Sequence, residues 1–192
     1  MERDIKNKNS NYHRIDNMIL TAFLNISSQK PYNQITVTEL CNEANVNRTT
    51  FYKHYRGTWE IKDRIAGELV EVAMRIINEF KGKDFLNNSI EVFREVNKEL
   101  VSRLDYYMSI FKMKNSNIFS EVIVESIKDS LVNGFVKFQG ETSIETIQVA
   151  FTYFAGGIIS TYRGWFAGRI SGTLDDMALI LSQYIRSSFI KK

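Results

Sequence analysis

The sequence predicts an all-α protein, and three observations carry that expectation. Helix formers dominate a chain of 192 residues that holds one proline and ten glycines. Apolar residues recur at i, i+3, i+4 and i+7 in one segment after another. Several of these segments open on a Ser, Thr or Asn placed as a helix cap. The hydrophobic fraction of 44% is ample for a packed core, as one large domain or two small ones. A single cysteine excludes an intramolecular disulfide and points to a reducing compartment.

The opening MERDIKNKNSNYHR is polar and charged and lacks the apolar core of a signal peptide. Its first ten residues read as a mobile arm. Ile15, Met18, Ile19, Ala22, Phe23 and Ile26 then form a helical stripe, so the first helix runs from about His13 to about Ser28 and stops before Pro31. The stretch TVTELCNEANVNRTTFYKHY, Thr36 to Tyr55, reads as two short helices across a tight turn. Thr36 and Glu39 make a capping box, flanked by Ile35 and Leu40 as a hydrophobic staple. Val37, Leu40, Cys41 and Ala44 share one face. Asn45 tolerates the left-handed conformation that ends helices. Asn47 caps the second helix, with Val46 and Phe51 as its staple.

In that second helix Phe51 and Tyr55, one turn apart, should face inward. Arg48, Thr49, Thr50, Tyr52 and Lys53 then face out, giving two cations and three hydroxyls with no carboxylate among them. This is the composition a helix-turn-helix presents to the major groove, since hydroxyls, Lys and Arg suit phosphate oxygens and Arg also reaches guanine edges. The bland alternative is a helical hairpin with a basic solvated face. Charge placement supports the DNA reading. Residues 1–58 hold eight cations (Arg3, Lys6, Lys8, Arg14, Lys30, Arg48, Lys53, Arg56) against five acids (Glu2, Asp4, Asp16, Glu39, Glu43), so they carry the whole net charge of +3.

The run from Ile35 to Leu69 resembles the DNA-binding segment of the TetR family of transcriptional regulators. The matching residues are Ile35, Thr36, Val37, Leu40, Ala44, Val46, Thr50, Phe51, Tyr52, His54, Tyr55 and Ile61. Asn45 and Asn47 replace the usual Gly and Ser and keep the local physics. Thr58 stands where a Lys commonly opens the fourth helix, and Lys62 is the substitute one turn on. The resemblance implies a three-helix DNA-binding domain, residues 1–57, joined by the fourth helix to a larger helical effector-binding and dimerisation domain, residues 58–192. It adds Thr36, Thr38 and His54 to the DNA-contacting set. It also implies a double-stranded operator, most often palindromic, and a small-molecule effector of unknown identity.

The fourth helix should begin near Thr58 and carry Ile61, Ile65, Leu69, Val72, Ile76 and Phe80 inward as far as a stop at Gly82. It is the one predicted link between the two parts. A further helix spans about Phe85 to Ser102, and the boundaries of the aromatic and Met-rich Leu104–Met113 stay open. Ser116 caps a helix running to about Phe138 through Ile127, Leu131 and Phe135, closed by Gly140. Ser143 opens one over Ile144–Phe166, and Thr173 with Asp175 and Asp176 opens the last.

Apolar residues run most of the way round the Ile144–Phe166 helix, so it should be buried on all sides, by its own fold or by a second subunit. The resemblance favours a homodimer, with Phe154, Ile158, Tyr162, Leu181, Tyr184 and Ile185 at the interface. Met108, Phe111, Met113, Phe119, Phe151, Tyr162 and Trp165 are candidates to line an effector pocket, although the same residues would serve a plain core.

Nothing points to catalysis, a metal or a cofactor. The two histidines are far apart, Cys41 reads as core, and no phosphate-binding or nucleophile-elbow motif is present. No apolar run approaches the roughly 20 residues a spanning helix needs, so a cytoplasmic location without membrane attachment is expected. An alternative is a protein of the same fold that binds another protein as a co-regulator.

Overall fold

The computed structural model describes residues 2–80, 87–126, 128 and 143–189, and every regular element among them is helical. In order they are α1 (Glu2–Ser27), a 3-10 turn (Tyr32–Gln34), α2 (Val37–Glu43), α3 (Arg48–His54), α4 (Thr58–Glu79), α5 (Ser89–Ser102), α6 (Leu104–Lys112), α7 (117–126), α8 (Ile144–Phe166) and α9 (Leu174–Phe189). Among the described residues no helix is long and apolar enough to cross a membrane. The expected Gly82 stop, the Phe85 start and the stretch from Ile127 through Leu131 and Phe135 to Phe138 and Gly140 lie outside the described residues.

Two compact units emerge. The first comprises residues 1–66 with Lys112–Ser116, and the second comprises residues 67–111 with 117–192. The division falls inside α4, after Ala66. The α6–α7 turn belongs to the first unit because the Lys114 N–H donates to the Ser27 carbonyl at 2.7 Å. The chain therefore passes between the units three times, once within α4 and once on either side of the α6–α7 turn, and α4 is not the sole link.

α1 starts eleven residues before the expected His13, at Glu2. The polar opening contains no Gly or Pro to stop a helix that the buried stripe has already nucleated. Arg14 helps on the surface, donating to Asn11 Oδ1 at 3.1 Å and to Met18 Sδ at 3.4 Å, one turn to each side. α6 is a helix of its own, separated from α5 by a turn at Arg103 (φ −137°, ψ 45°).

In the first unit α1 packs on α2, and α2 on α3. Ile19, Phe23, Leu40, Phe51, Ile61 and Ile65 are completely buried, each contributing about 1.5–3 kcal/mol of transfer free energy. One charged residue lies among them. Asp16 shares the buried face of α1 with Ile19, Leu20 and Phe23 and is 8% exposed. Its carboxylate accepts from Tyr55 Oη at 2.7 Å and from the Arg64 guanidinium, which also reaches Tyr55 Oη. Burial, then the hydrogen bond to Asp16, pushes the Tyr55 hydroxyl well above the usual phenol range.

In the second unit α5 packs along α9. Asn97 of α5 is buried and satisfies both sides of its amide. Its Nδ2 donates to the Leu174 carbonyl at the start of α9 at 2.6 Å, and its Oδ1 accepts from Tyr162 Oη of α8 at 2.7 Å. One amide thus fixes three helices. Thr173 and Asp176 form a reciprocal cap at α9, with Asp176 N–H on Thr173 Oγ1 at 3.1 Å and Thr173 N–H on Asp176 Oδ2 at 2.9 Å. α8 ends in a left-handed Gly168 (φ 67°), which lets the Arg169 N–H reach back to the Gly164 carbonyl at 2.8 Å.

Asp16→Ala leaves Arg64 and Tyr55 without their shared acceptor. Breaking a buried pair costs about 3–5 kcal/mol, and a third of the Arg64 side chain reaches solvent, so a loss of about 3 kcal/mol is expected. Denaturant titration followed by tyrosine fluorescence measures it, and a change below about 1 kcal/mol would show that the cluster is not cohesive.

Candidate nucleic-acid interface

The helix pair is built by its caps. The Glu39 N–H donates to Thr36 Oγ1 at 3.2 Å, while the Thr36 N–H donates to Glu39 Oε2 at 2.9 Å. Asn45 adopts the left-handed conformation (φ 50°), and the Val46 N–H reaches the Cys41 carbonyl at 2.9 Å. Asn47 Oδ1 accepts the Thr50 N–H at 2.7 Å and starts α3. Phe51 (0% exposed) and Tyr55 (4%) hold the inner face. Cys41 is buried, and burial raises its thiol above the usual range, opposed by the nearby Arg48 charge.

The outer face then follows. Arg48, Thr49, Tyr52 and Lys53 are exposed, as is Thr38 of α2, and Thr50 is half-buried. Arg48 bridges the two helices, lying 3.5 Å from Thr38 Oγ1 and 3.4 Å from Tyr52 Oη. These are long, weak contacts between groups that remain free to exchange them for an external acceptor.

Two expected members of the set are placed otherwise. His54 has a side chain only 3% exposed. It lies beneath the ring of Tyr12 at 4.0 Å and 20°, with Nδ1 3.7 Å from Asp16 Oδ1. It belongs to the packing of α3 on α1, not to the outer face. Thr36 is exposed, but its one hydroxyl proton goes to Glu39 Oε2 at 2.8 Å, so its role is the cap. At the start of α4, Lys62, the substitute cation considered for that helix, pairs with Asp63. The Arg56 N–H donates to Glu60 Oε2 at 2.6 Å, and Trp59 is 52% exposed beside it. Tyr12, Asp16 and Arg64 were not singled out from the sequence. Asp16 carried a legible signal, a carboxylate spaced i, i+3, i+4, i+7 with Ile19, Leu20 and Phe23.

Six of the seven expected effector-pocket residues lie in the second unit. Phe111 and Phe166 stack at 4.5 Å, Met108 and Phe151 are half-buried, and Phe119 is buried in α7. Trp165 is half-buried, and its indole N–H holds the α8–α9 connection by donating to the Gly172 carbonyl at 3.0 Å. Met113 falls in the first unit. A groove of about 660 Å³ does open between α8 and α9, but none of these seven residues lines it. Its walls include Phe154, Ile158, Leu181, Tyr184 and Ile185. These are five of the six residues expected at a subunit interface. Tyr162 is the exception, turned inward to Asn97. Tyr153 (75% exposed), Ile180 (47%) and Tyr184 (64%) leave the groove's rim apolar and open.

No family model matches the chain. No curated protein matches it. Solved structures do. A Syntrophomonas wolfei protein assigned to the TetR family of transcriptional regulators aligns over 93% of this chain and 95% of its own at 15% identity, with a TM-score of 0.64. The chain has the TetR-family fold. A Clostridium perfringens protein described as a fatty acid metabolism regulator is 18% identical over 91% of this chain and all of its own, TM-score 0.63. The fatty acid degradation regulator FadR of Bacillus halodurans is 13% identical over 93% and 97%, TM-score 0.60. At these identities the TetR-type likeness is one of fold.

Hydrogen bonds from Lys30 and Thr36 lower the Glu39 carboxyl to about 2 from an ordinary 4.5. A depressed folded value means the cap is fully effective above the unfolded value and is lost as pH falls from about 4.5 towards about 2. The unfolding midpoints of the wild type and Glu39→Gln should therefore differ most at neutral pH and converge in acid. A gap that persists at about pH 2 would refute the cap as its source.

Proposed function

We propose that this protein is a DNA-binding transcriptional regulator, a repressor in its usual mode, that binds a palindromic operator as a homodimer and is released by a small-molecule effector. It acts in the cytoplasm, not as an enzyme. Residues 1–57 serve the DNA and residues 58–192 the effector and the partner subunit. The observation that carries the reading is the outer face of α3. Arg48, Thr49 and Lys53 stand exposed, opposite the buried Phe51 and Tyr55, with Thr38 and Tyr52 converging on Arg48. Arg48, Thr49 and Lys53 read bases, and Thr38, Thr50 and Tyr52 hold the backbone. The TetR-type fold supports the same reading, as does the apolar groove of α8 and α9, which a second copy would cover. Two structural neighbours are described as fatty acid regulators, so an effector with an apolar chain is the first class to test.

A second reading draws on α4. No free cation stands in its first turns, because Lys62 is paired with Asp63. That favours a co-regulator that docks on protein. Gel shift with random-sequence DNA at low salt separates the two, since a co-regulator would barely bind.

Lys53→Ala should weaken operator binding by about 1–3 kcal/mol, relax specificity at the base it reads, and lower the salt slope because a cation leaves the interface. Unchanged affinity and slope would remove Lys53 from the interface. Tyr153→Glu with Tyr184→Glu places charge in the apolar groove. Sedimentation should find this double variant monomeric at concentrations where the wild type is a dimer, with DNA affinity reduced. A dimeric double variant would exclude the α8–α9 face.

A further inference from the structure

Arg163 lies on α8, three residues before Phe166, and reaches the first turn of α7. Its Nη1 donates to Asn117 Oδ1 at 2.5 Å, and its Nη2 has one long contact, 3.4 Å, to Ser120 Oγ. Its Nε is sealed from solvent and has no acceptor. No carboxylate among the described residues pairs with this guanidinium, although Arg64, Arg75 and Arg103 each have one.

Three features of this arrangement are unfavourable as it stands. A buried N–H without an acceptor costs about 1–3 kcal/mol. A half-buried cation is held by neutral oxygens alone. The cation also lies at the start of α7, the positive end of a helix, where anions are favoured and cations are not. One oxyanion removes all three. The Nε and Nη2 hydrogens share one edge of the guanidinium, the edge that binds carboxylate or phosphate side-on through two parallel hydrogen bonds. Of that edge only Nη2 has a partner, the long contact to Ser120, because Nη1 is the nitrogen bound at short range. Phe166 lies one turn along α8 from Arg163 and stacks on Phe111, and the buried Phe119 lies on α7 between Asn117 and Ser120 in the sequence.

We infer that Arg163 is the head-group anchor of an anionic amphiphilic effector, with a carboxylate or phosphate bound side-on at Nε and Nη2 and its apolar body directed along Phe111 and Phe166. This rests on the effector-regulated reading above and names the ligand class for it.

The test uses the full chain and three probes below their micelle concentrations: dodecanoate, dodecyl phosphate and neutral dodecanol. Titration calorimetry should show both anions, or the better-matched one of the two, binding the wild type more tightly than the alcohol. The tighter anion identifies the head group. Arg163→Gln should weaken the anions by about 10- to 100-fold, the loss of hydrogen bonds to a charged group, and leave dodecanol unchanged. Arg163→Lys keeps the charge, loses the planar edge and should recover only part of the affinity. Should Arg163→Gln fail to fold, the wild-type comparison of anions with alcohol and the Lys variant still decide. Wild-type affinity of either variant for both anions overturns the inference. So does dodecanol binding the wild type as tightly as the anions, or no probe binding at all. Gel shift without probe is run in parallel. A wild type that ignores DNA overturns the regulator reading and leaves the binding comparison intact.

Discussion

A single buried carboxylate organises the N-terminal unit. Asp16 stands among side chains that are completely buried, where an unpaired charge would be strongly unfavourable. It is tolerated because Tyr55, 39 residues later, and Arg64, 48 residues later, both donate to it. Those partners lie at the exit of α3 and on α4, so satisfying Asp16 fixes both helices against α1. The position of the outer face follows. Phe51 and Tyr55 face the core because Tyr55 must reach Asp16, and Thr49 and Lys53 then point away. A hydrophobic contact alone would tolerate a rotation of α3. A two-partner hydrogen bond does so much less readily, because its geometry degrades within tens of degrees.

What was legible in the sequence was local. Thr36 with Glu39, Asn47, Asn45, Ser143 and Thr173 with Asp176 are all signals within three or four residues, and each names a helix boundary by itself. The apolar stripes likewise gave the inner faces. What was hidden depends on distant partners. Nothing near His54 in the sequence tells that Tyr12 covers it, or that its ring turns towards Asp16. The same holds for Tyr162, whose hydroxyl finds Asn97, 65 positions away. Thr36 shows the subtler failure. The capping box was correctly read, but a hydroxyl has one proton, and spending it on Glu39 leaves none for a phosphate. α1 begins earlier than the polarity of its opening suggests, because no breaker interrupts that opening.

The second unit explains why α8 is apolar nearly all round. One side is occupied within the chain, where Ile147 and Tyr162 are buried. The opposite side carries Val149, 71% exposed, and Tyr153, and continues into Ile180 and Tyr184 of α9. A helix with two apolar sides needs two neighbours, and its own chain supplies one of them among the described residues. Leaving such a face in water forfeits roughly 25 cal/mol for each Å² that a partner would cover. The groove is therefore the feature of this unit least consistent with an isolated protomer.

In the proposed reading, α4 is one path along which information travels. This helix is pinned in both units by charge-assisted contacts. Arg64 holds it to Asp16 at one end. At the other, Glu68 accepts from Tyr106 Oη at 3.1 Å and from Arg103 at 3.4 Å, and Arg75 donates to Glu99 at 2.5 Å, which also accepts from Tyr107. Its 22 residues span about 33 Å at 1.5 Å per residue. A tilt of about 5° over that length moves one end by roughly 3 Å, the reach of a hydrogen bond. α4 contains no proline, so no built-in kink absorbs such a tilt. A displacement of α5 or α6, which carry Glu99, Arg103, Tyr106 and Tyr107, is therefore passed to the helix rather than dissipated beside it. The α6–α7 turn, held to Ser27 at the end of α1, adds a second route.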